Sequence, residues 1–159
     1  MSVPESLDVQ ALLASMEGMG AAGLRLPPPI FETLQTDVRD YRPGEGDDRL
    51  GASMTARFPI QEAHLNPMGI LQGGMIATLV DGVVGPLCYL VAPPSVTAQM
   101  SVTFLAPARP EADYVEVTAR FVSRAGRQLV FDAVVSDPKG KELALARMTQ
   151  TIVRRQPTS

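Results

Sequence analysis

A chain of 159 residues with a formal net charge of -3 has the size of one domain built on one core. Its 45% apolar and 19% charged residues lie far from the profile of a disordered chain, and the acidic balance supplies no basic surface for nucleic acid. The single cysteine, Cys88, sits in an apolar run; it excludes an intramolecular disulfide and points to a buried, inert thiol in a reducing, cytoplasmic setting.

The chain begins with early acidic residues, Glu5 and Asp8, and no basic stretch ahead of an apolar one, so no signal peptide is expected. Residues 5–17 place Leu7, Leu12, Leu13 and Met16 on one helical face, and Gly18, Gly20 and Gly23 end that helix. Pro27, Pro28 and Pro29 form a stiff connector. The expected organisation is therefore an N-terminal extension over 1–29, a main domain over 30–154 and a frayed tail over 155–159.

Two strands are predicted over 31–41 and 50–60, joined as a hairpin by the Pro-, Gly- and Asp-rich turn at 42–48. Four more follow residue 94, over 96–105, 114–123, 127–136 and 142–153, and the short breaks between them predict antiparallel neighbours. Between the two groups lies one long helix over 72–90. There Ile76, Leu79, Val80, Val83, Val84 and Leu87 recur at helical spacing, while Gly74, Thr78, Asp81 and Gly85 make a second stripe of small or polar residues. A helix apolar almost all round must be wrapped by other structure, so the pattern describes a sheet curled around a central helix. Residues 70–92 are long enough to span a membrane, but a carboxylate at mid-span costs roughly 2.5–3.5 kcal/mol on insertion scales, and a buried helix is expected instead.

From Ala63 through Ala108 the only formally charged side chain is Asp81 and the only histidine is His64. A lone carboxylate in apolar surroundings is costly unless it is paired or hydrogen-bonded, and desolvated carboxylates gather at active sites as well as in structural networks. The segment Asn66-Pro-Met-Gly69-Ile-Leu-Gln72-Gly73-Gly74 leads into the helix. Free amide N–H groups at such a start favour an oxygen that gains negative charge, and Asp81 stands two turns further along, on the stripe of Gly74 and Thr78. Both groups are expected to face one cleft. By itself, a Gly-Gly pair equally serves a tight turn.

The combination His64-Leu-Asn66-Pro-Met-Gly69-Ile-Leu-Gln72-Gly73-Gly74, then Thr78-Leu-Val-Asp81-Gly82, then Val96-Thr97 through Phe104-Leu-Ala-Pro107-Ala108 resembles the hotdog-fold acyl-CoA thioesterases related to the phenylacetate-degradation thioesterase. The resemblance spans roughly residues 45–153. It implies an α+β hotdog fold, an antiparallel sheet of about six strands around one long helix, a homodimer or a dimer of dimers, and hydrolysis of acyl-CoA to free acid and CoA. It further implies that Asp81 is the catalytic carboxylate, as nucleophile or general base, and that the Gly73 N–H is the oxyanion donor with Gly74 beside it. Asn66 matches a polar residue near the thioester or the water, and Thr97 a hydroxyl reaching in from the partner subunit to hold the nucleophilic water. The family's usual histidine is replaced by Gln72, which can donate a hydrogen bond but carries no proton. For the CoA arm, the resemblance points to the turn with Arg124, Gly126 and Arg127, whose guanidinium forks suit phosphate.

No cofactor is expected, CoA being part of the substrate, and one Cys with one His cannot build a structural zinc site. His64 reads as an ordinary loop residue, and no Gly-x-Ser-x-Gly elbow is present. Two rival functions keep the same fold: a non-catalytic acyl-CoA-binding protein, and a hydratase or dehydratase, which would want a His and Asp pair.

Overall fold

The computed structural model describes residues 25 and 27–153; the helix expected over 5–17 and the tail 155–159 lie outside them. The described chain runs helix α1 (Ile30–Leu34), strands β1 (Asp37–Arg42) and β2 (Ser53–Pro59), helix α2 (Gly73–Val91), then strands β3 (Ser95–Phe104), β4 (Tyr114–Ala125), β5 (Gln128–Ser136) and β6 (Glu142–Ile152). The strands form one six-stranded antiparallel sheet in the order β1-β2-β4-β5-β6-β3, with α2 against its inner face. This is the hotdog arrangement that the resemblance implies.

Alternation along the strands makes the core. On β2, Met54, Ala56 and Phe58 face inward; on β4, Val115, Val117, Ala119 and Phe121; on β5, Leu129, Phe131, Ala133 and Val135. They close on Ile76, Leu79, Val80, Val83, Val84 and Leu87 of α2. Phe121 and Phe131 meet across β4 and β5 with ring centroids 5.1 Å apart. Helix α2, 19 residues long, has the length and hydropathy of a membrane span, and here that apolar side is packed against sheet.

Three expectations need correction. The segment expected to begin a strand at residue 31 is the short helix α1. Pro29, just before it, holds helical angles, φ -54 and ψ -28, and the Phe31 N–H reaches the Pro28 carbonyl and starts a turn. That turn buries Leu34 against Gly82, where an added Cβ would stand 3.5 Å from the Leu34 Cδ1. Second, β3 does not neighbour β4 as the short break suggested; it lies on the far side of β6, at one edge of the sheet. Third, α2 is not wrapped all round: Gly74 and Asp81 are exposed, with Thr78 and Gly85 half-buried. The sheet covers one side of the helix, and the stripe of small and polar residues lies on the other.

Candidate active site

Asp81 stands on that open stripe, exposed rather than buried as the sequence suggested. Its carboxylate Oδ1 accepts a hydrogen bond of 2.9 Å from the Thr97 hydroxyl of the same chain. Within one chain Thr97 thus meets its own Asp81, where the resemblance implied the Asp81 of a partner subunit: β3 runs beside its own α2, and a β-bulge makes the contact. The register shifts between Thr97, opposite Gln150, and Gln99, opposite Thr149, so Ala98 is the extra residue. Without it, alternation would place Thr97 and the half-buried Met100 and Val102 on opposite faces; with it, all three point toward the helix side.

Behind Thr97 lies Gln150, a residue that sequence reasoning missed. It is 3% exposed and its amide Nε2 donates to the Thr97 Oγ1 at 3.0 Å. The available signal was alternation on β6, where Ala144, Ala146, Met148 and Gln150 share the inward face and the last is polar. Asp81, Thr97 and Gln150 border a cavity of about 280 Å³ that runs along α2 past Gly82, Gly85 and Pro86 to Tyr89. An added Cβ at Gly85 would touch nothing within 4 Å, so this glycine opens directly onto the cavity.

The helix start is a second centre. The Gln72 carbonyl takes the N–H groups of Met75 and Ile76, and among the described residues the Gly73 and Gly74 N–H groups donate to no backbone carbonyl. The Phe104 ring lies over Gly73; a Cβ there would stand 3.0 Å from the ring's Cζ, so the ring would have to give by a few tenths of an ångström. Gln72 is the N-cap, exposed, with no capping hydrogen bond from its side chain. The preceding loop folds back on itself, with the Gln72 N–H on the His64 carbonyl and Leu65 bridging Leu71. Within it, the Asn66 Oδ1 accepts from the N–H groups of Met68 (2.9 Å) and Ile70 (3.3 Å), which leaves the amide NH2 as a donor for another acceptor.

These two centres do not form one cleft within a chain. Eight residues of α-helix separate Gly73 from Asp81, about 12 Å along the axis, and N–H groups at a helix start point away from the helix body. A carbonyl group, about 1.2 Å from oxygen to carbon, does not bridge that separation.

The turn between β4 and β5 holds Arg124, Gly126 and Arg127. Gly126 has φ +59, and its carbonyl accepts from the Arg124 Nε at 3.2 Å. Arg124 also shares a shallow recess with Asp48, so the local charge is mixed. Cys88 is buried as expected; burial pushes its thiol above the ordinary range, and its Sγ lies 2.8 Å from the Ser95 Oγ. Among the described residues no group of three or more His, Cys, Asp or Glu side chains gathers to hold a metal ion.

Residues 68–144 match the thioesterase superfamily. Acyl-coenzyme A thioesterase 13 of Homo sapiens is 36% identical over 95 residues, 57% of this chain and 66% of the relative, so the chain spans just under two thirds of that protein's length. The Mus musculus protein of the same name is 33% identical over 101 residues, 61% of this chain and 71% of the relative. Among solved structures, the E. coli PaaI protein from the phenylacetic acid degradation operon superposes with a TM-score of 0.71 at 17% identity, over 89% of this chain and 96% of that one; at that identity the likeness is one of fold. With the six-stranded sheet around α2 and these matches together, the chain belongs to the thioesterase superfamily.

Proposed function

We propose that the protein hydrolyses acyl-CoA thioesters to the free acid and CoA, at a site completed by a second copy of the chain. The observation that supports this best is the bond from Thr97 to Asp81 at the mouth of the cavity beside α2. A carboxylate next to a cavity, with a hydroxyl fixed beside it, is suited to hold and deprotonate a water.

The second copy follows from β3. This strand is ten residues long at an open sheet edge, with Val96 and Phe104 each more than half exposed. Such an edge exposes unpaired N–H and C=O groups and invites pairing. Thr97, near one end of β3, contacts Asp81, and Phe104, at the other end, covers Gly73. If two β3 strands pair antiparallel about a twofold axis near Met100 and Ser101, the Asp81 end of one chain meets the helix start of the other. The symmetric pairing makes two equal sites.

In each site, a water attacks the thioester carbon while Asp81 takes its proton. The developing oxyanion is met by the N–H of the partner subunit's Gly73 and the amide of the partner subunit's Asn66. Collapse of the tetrahedral intermediate breaks the C–S bond and expels the CoA thiolate, which takes the proton that Asp81 received from the water. The acyl group occupies the cavity beside Gly85 and Tyr89, mostly apolar and large enough for a medium-length or aryl chain. The CoA arm leaves toward Arg127, two strand spacings from Thr97, or about 10 Å. Gln72 orients the thioester through its amide and transfers no proton. No cofactor takes part, and the reaction belongs in the cytoplasm.

Thiol release from a panel of acyl-CoAs, followed with a thiol-reactive dye, tests this reading. The protein should turn over at least one member, and Asp81→Asn should lower that turnover by about a hundredfold or more with the fold unchanged. Near-parental turnover in folded Asp81→Asn would refute it.

A further inference from the structure

Gln150 touches neither the Asp81 carboxylate nor the helix start directly, yet it is one of only two polar or charged residues buried among the described ones, the other being Ser95. Burial of an amide is costly unless its hydrogen bonds are made. The Gln150 Nε2 makes two contacts, one to the Thr97 Oγ1 at 3.0 Å and one to the Met148 Sδ at 3.2 Å. A thioether sulfur accepts and never donates, so the NH2 end of the amide, not its oxygen, belongs on this side.

The geometry points to Gln150 as the positioning residue that orients the Thr97 hydroxyl, and through it Asp81, for attack by water; this rests on the thioesterase reading above. Thr97 and Gln150 are register partners on the helix-facing side of β3 and β6. The Gln150 N–H occupies one lone pair of the Thr97 Oγ1, and the hydroxyl proton goes to the Asp81 Oδ1 at 2.9 Å. Every bond in the row therefore points one way, from amide to hydroxyl to carboxylate. It also fixes the rotamer of a β-branched side chain whose rotation about χ1 would exchange hydroxyl for methyl at Asp81. The second lone pair on the Thr97 Oγ1 stays open toward the cavity mouth. A water there donates one hydrogen to Thr97 and the other to the remaining Asp81 oxygen, which leaves its own lone pair for the thioester carbon.

The experiment compares Gln150→Leu, which deletes the donor, and Gln150→Glu, which keeps the shape but supplies a carboxylate acceptor, each with and without Thr97→Val. Each protein is checked by thermal unfolding and assayed with the best acyl-CoA. Both single Gln150 variants should lower kcat by about 10- to 100-fold, with KM close to the parental value. In the Thr97→Val background the same changes should lower kcat no further, because their effect passes through the hydroxyl. If Gln150→Leu does not fold, the Gln150→Glu pair alone completes the cycle. Parental kcat in both folded Gln150 variants overturns the inference, and so does an equal fold-loss with and without Thr97→Val. Asp81→Asn in the same assay separates the two claims: if the parent hydrolyses no acyl-CoA, or Asp81→Asn is fully active, the thioesterase reading itself has failed.

Discussion

On the side of α2 covered by the sheet, Ile76, Leu79, Val80, Val83, Val84 and Leu87 are at most 3% exposed, whereas on the other side Asp81 is exposed and Thr78 and Gly85 are half-buried. The covered side is satisfied within one chain: its side chains are apolar and fill their space, and their removal leaves cavities. The open side is left unfinished. Among the described residues its carboxylate has one hydrogen-bond donor, its cavity has a mouth, and the Gly73 and Gly74 N–H groups donate to no backbone carbonyl. One helix therefore separates the residues that hold the fold from those suited to chemistry, and mutations on the two sides should fail in different assays.

The largest effect on stability belongs to the covered side. Phe131→Ala removes a fully buried ring packed at a tilt against Phe121 and should cost about 3–5 kcal/mol in urea unfolding, while turnover per folded molecule stays near parental. A turnover loss far beyond the unfolded fraction would break the division between the two sides. On the open side, Asp81→Asn should do the reverse, with turnover down by about a hundredfold or more and stability within about 0.5 kcal/mol of the parent. Strong destabilisation there would assign Asp81 to the structure instead.

The smallest effect lies on the outer face of the sheet, remote from both. Asp132 and Arg147 form a two-pronged pair, with Oδ1 to Nε at 2.6 Å and Oδ2 to Nη2 at 2.8 Å. The Arg147 hydrogen bonds hold the Asp132 carboxyl below the usual carboxylate range. A depressed folded value means that the pair's contribution is complete above the unfolded carboxylate's range and fades as pH falls through the folded one. Both side chains are largely solvated, so Asp132→Asn should cost at most about 1 kcal/mol near neutrality. The gap between parent and variant in urea midpoints should close in acid; a gap that persists there would show that the pair is not its source.

How much of this was legible in the sequence depended on whether the signal was local. Helix α2 was expected over 72–90 and occupies Gly73–Val91, because its period-3.6 apolar pattern is set by residues within the element. The strands after it follow their β-branched runs for the same reason. The place of β3 beside β6 was not legible, since pairing partners are chosen across the chain. The Ala98 bulge was hidden too, because one inserted residue leaves no mark on composition and yet decides which face Thr97 occupies. The exposure of Asp81 depends on how far the sheet curls, which a helical pattern does not encode. Gln150 was readable in principle, as a polar residue at an inward strand position, but only once the phase of β6 was known.

Subunit complementation tests most directly the claim that the open side is completed by a second copy. Asp81→Asn chains are mixed with chains crippled at the helix start by Gly73→Pro, which removes the amide N–H at a first helical position and obliges the Phe104 ring to shift, or by Asn66→Ala if that protein does not fold. In the mixed dimer one site receives both lesions and the other none, so up to half of the parental activity per heterodimer should return. Asp81→Asn mixed with Thr97→Val should stay inactive, since both residues belong to the same half of the site. If subunits exchange and the first mixture recovers nothing, or if the second mixture recovers instead, the site is not divided between the helix start of one chain and the Asp81 of the other.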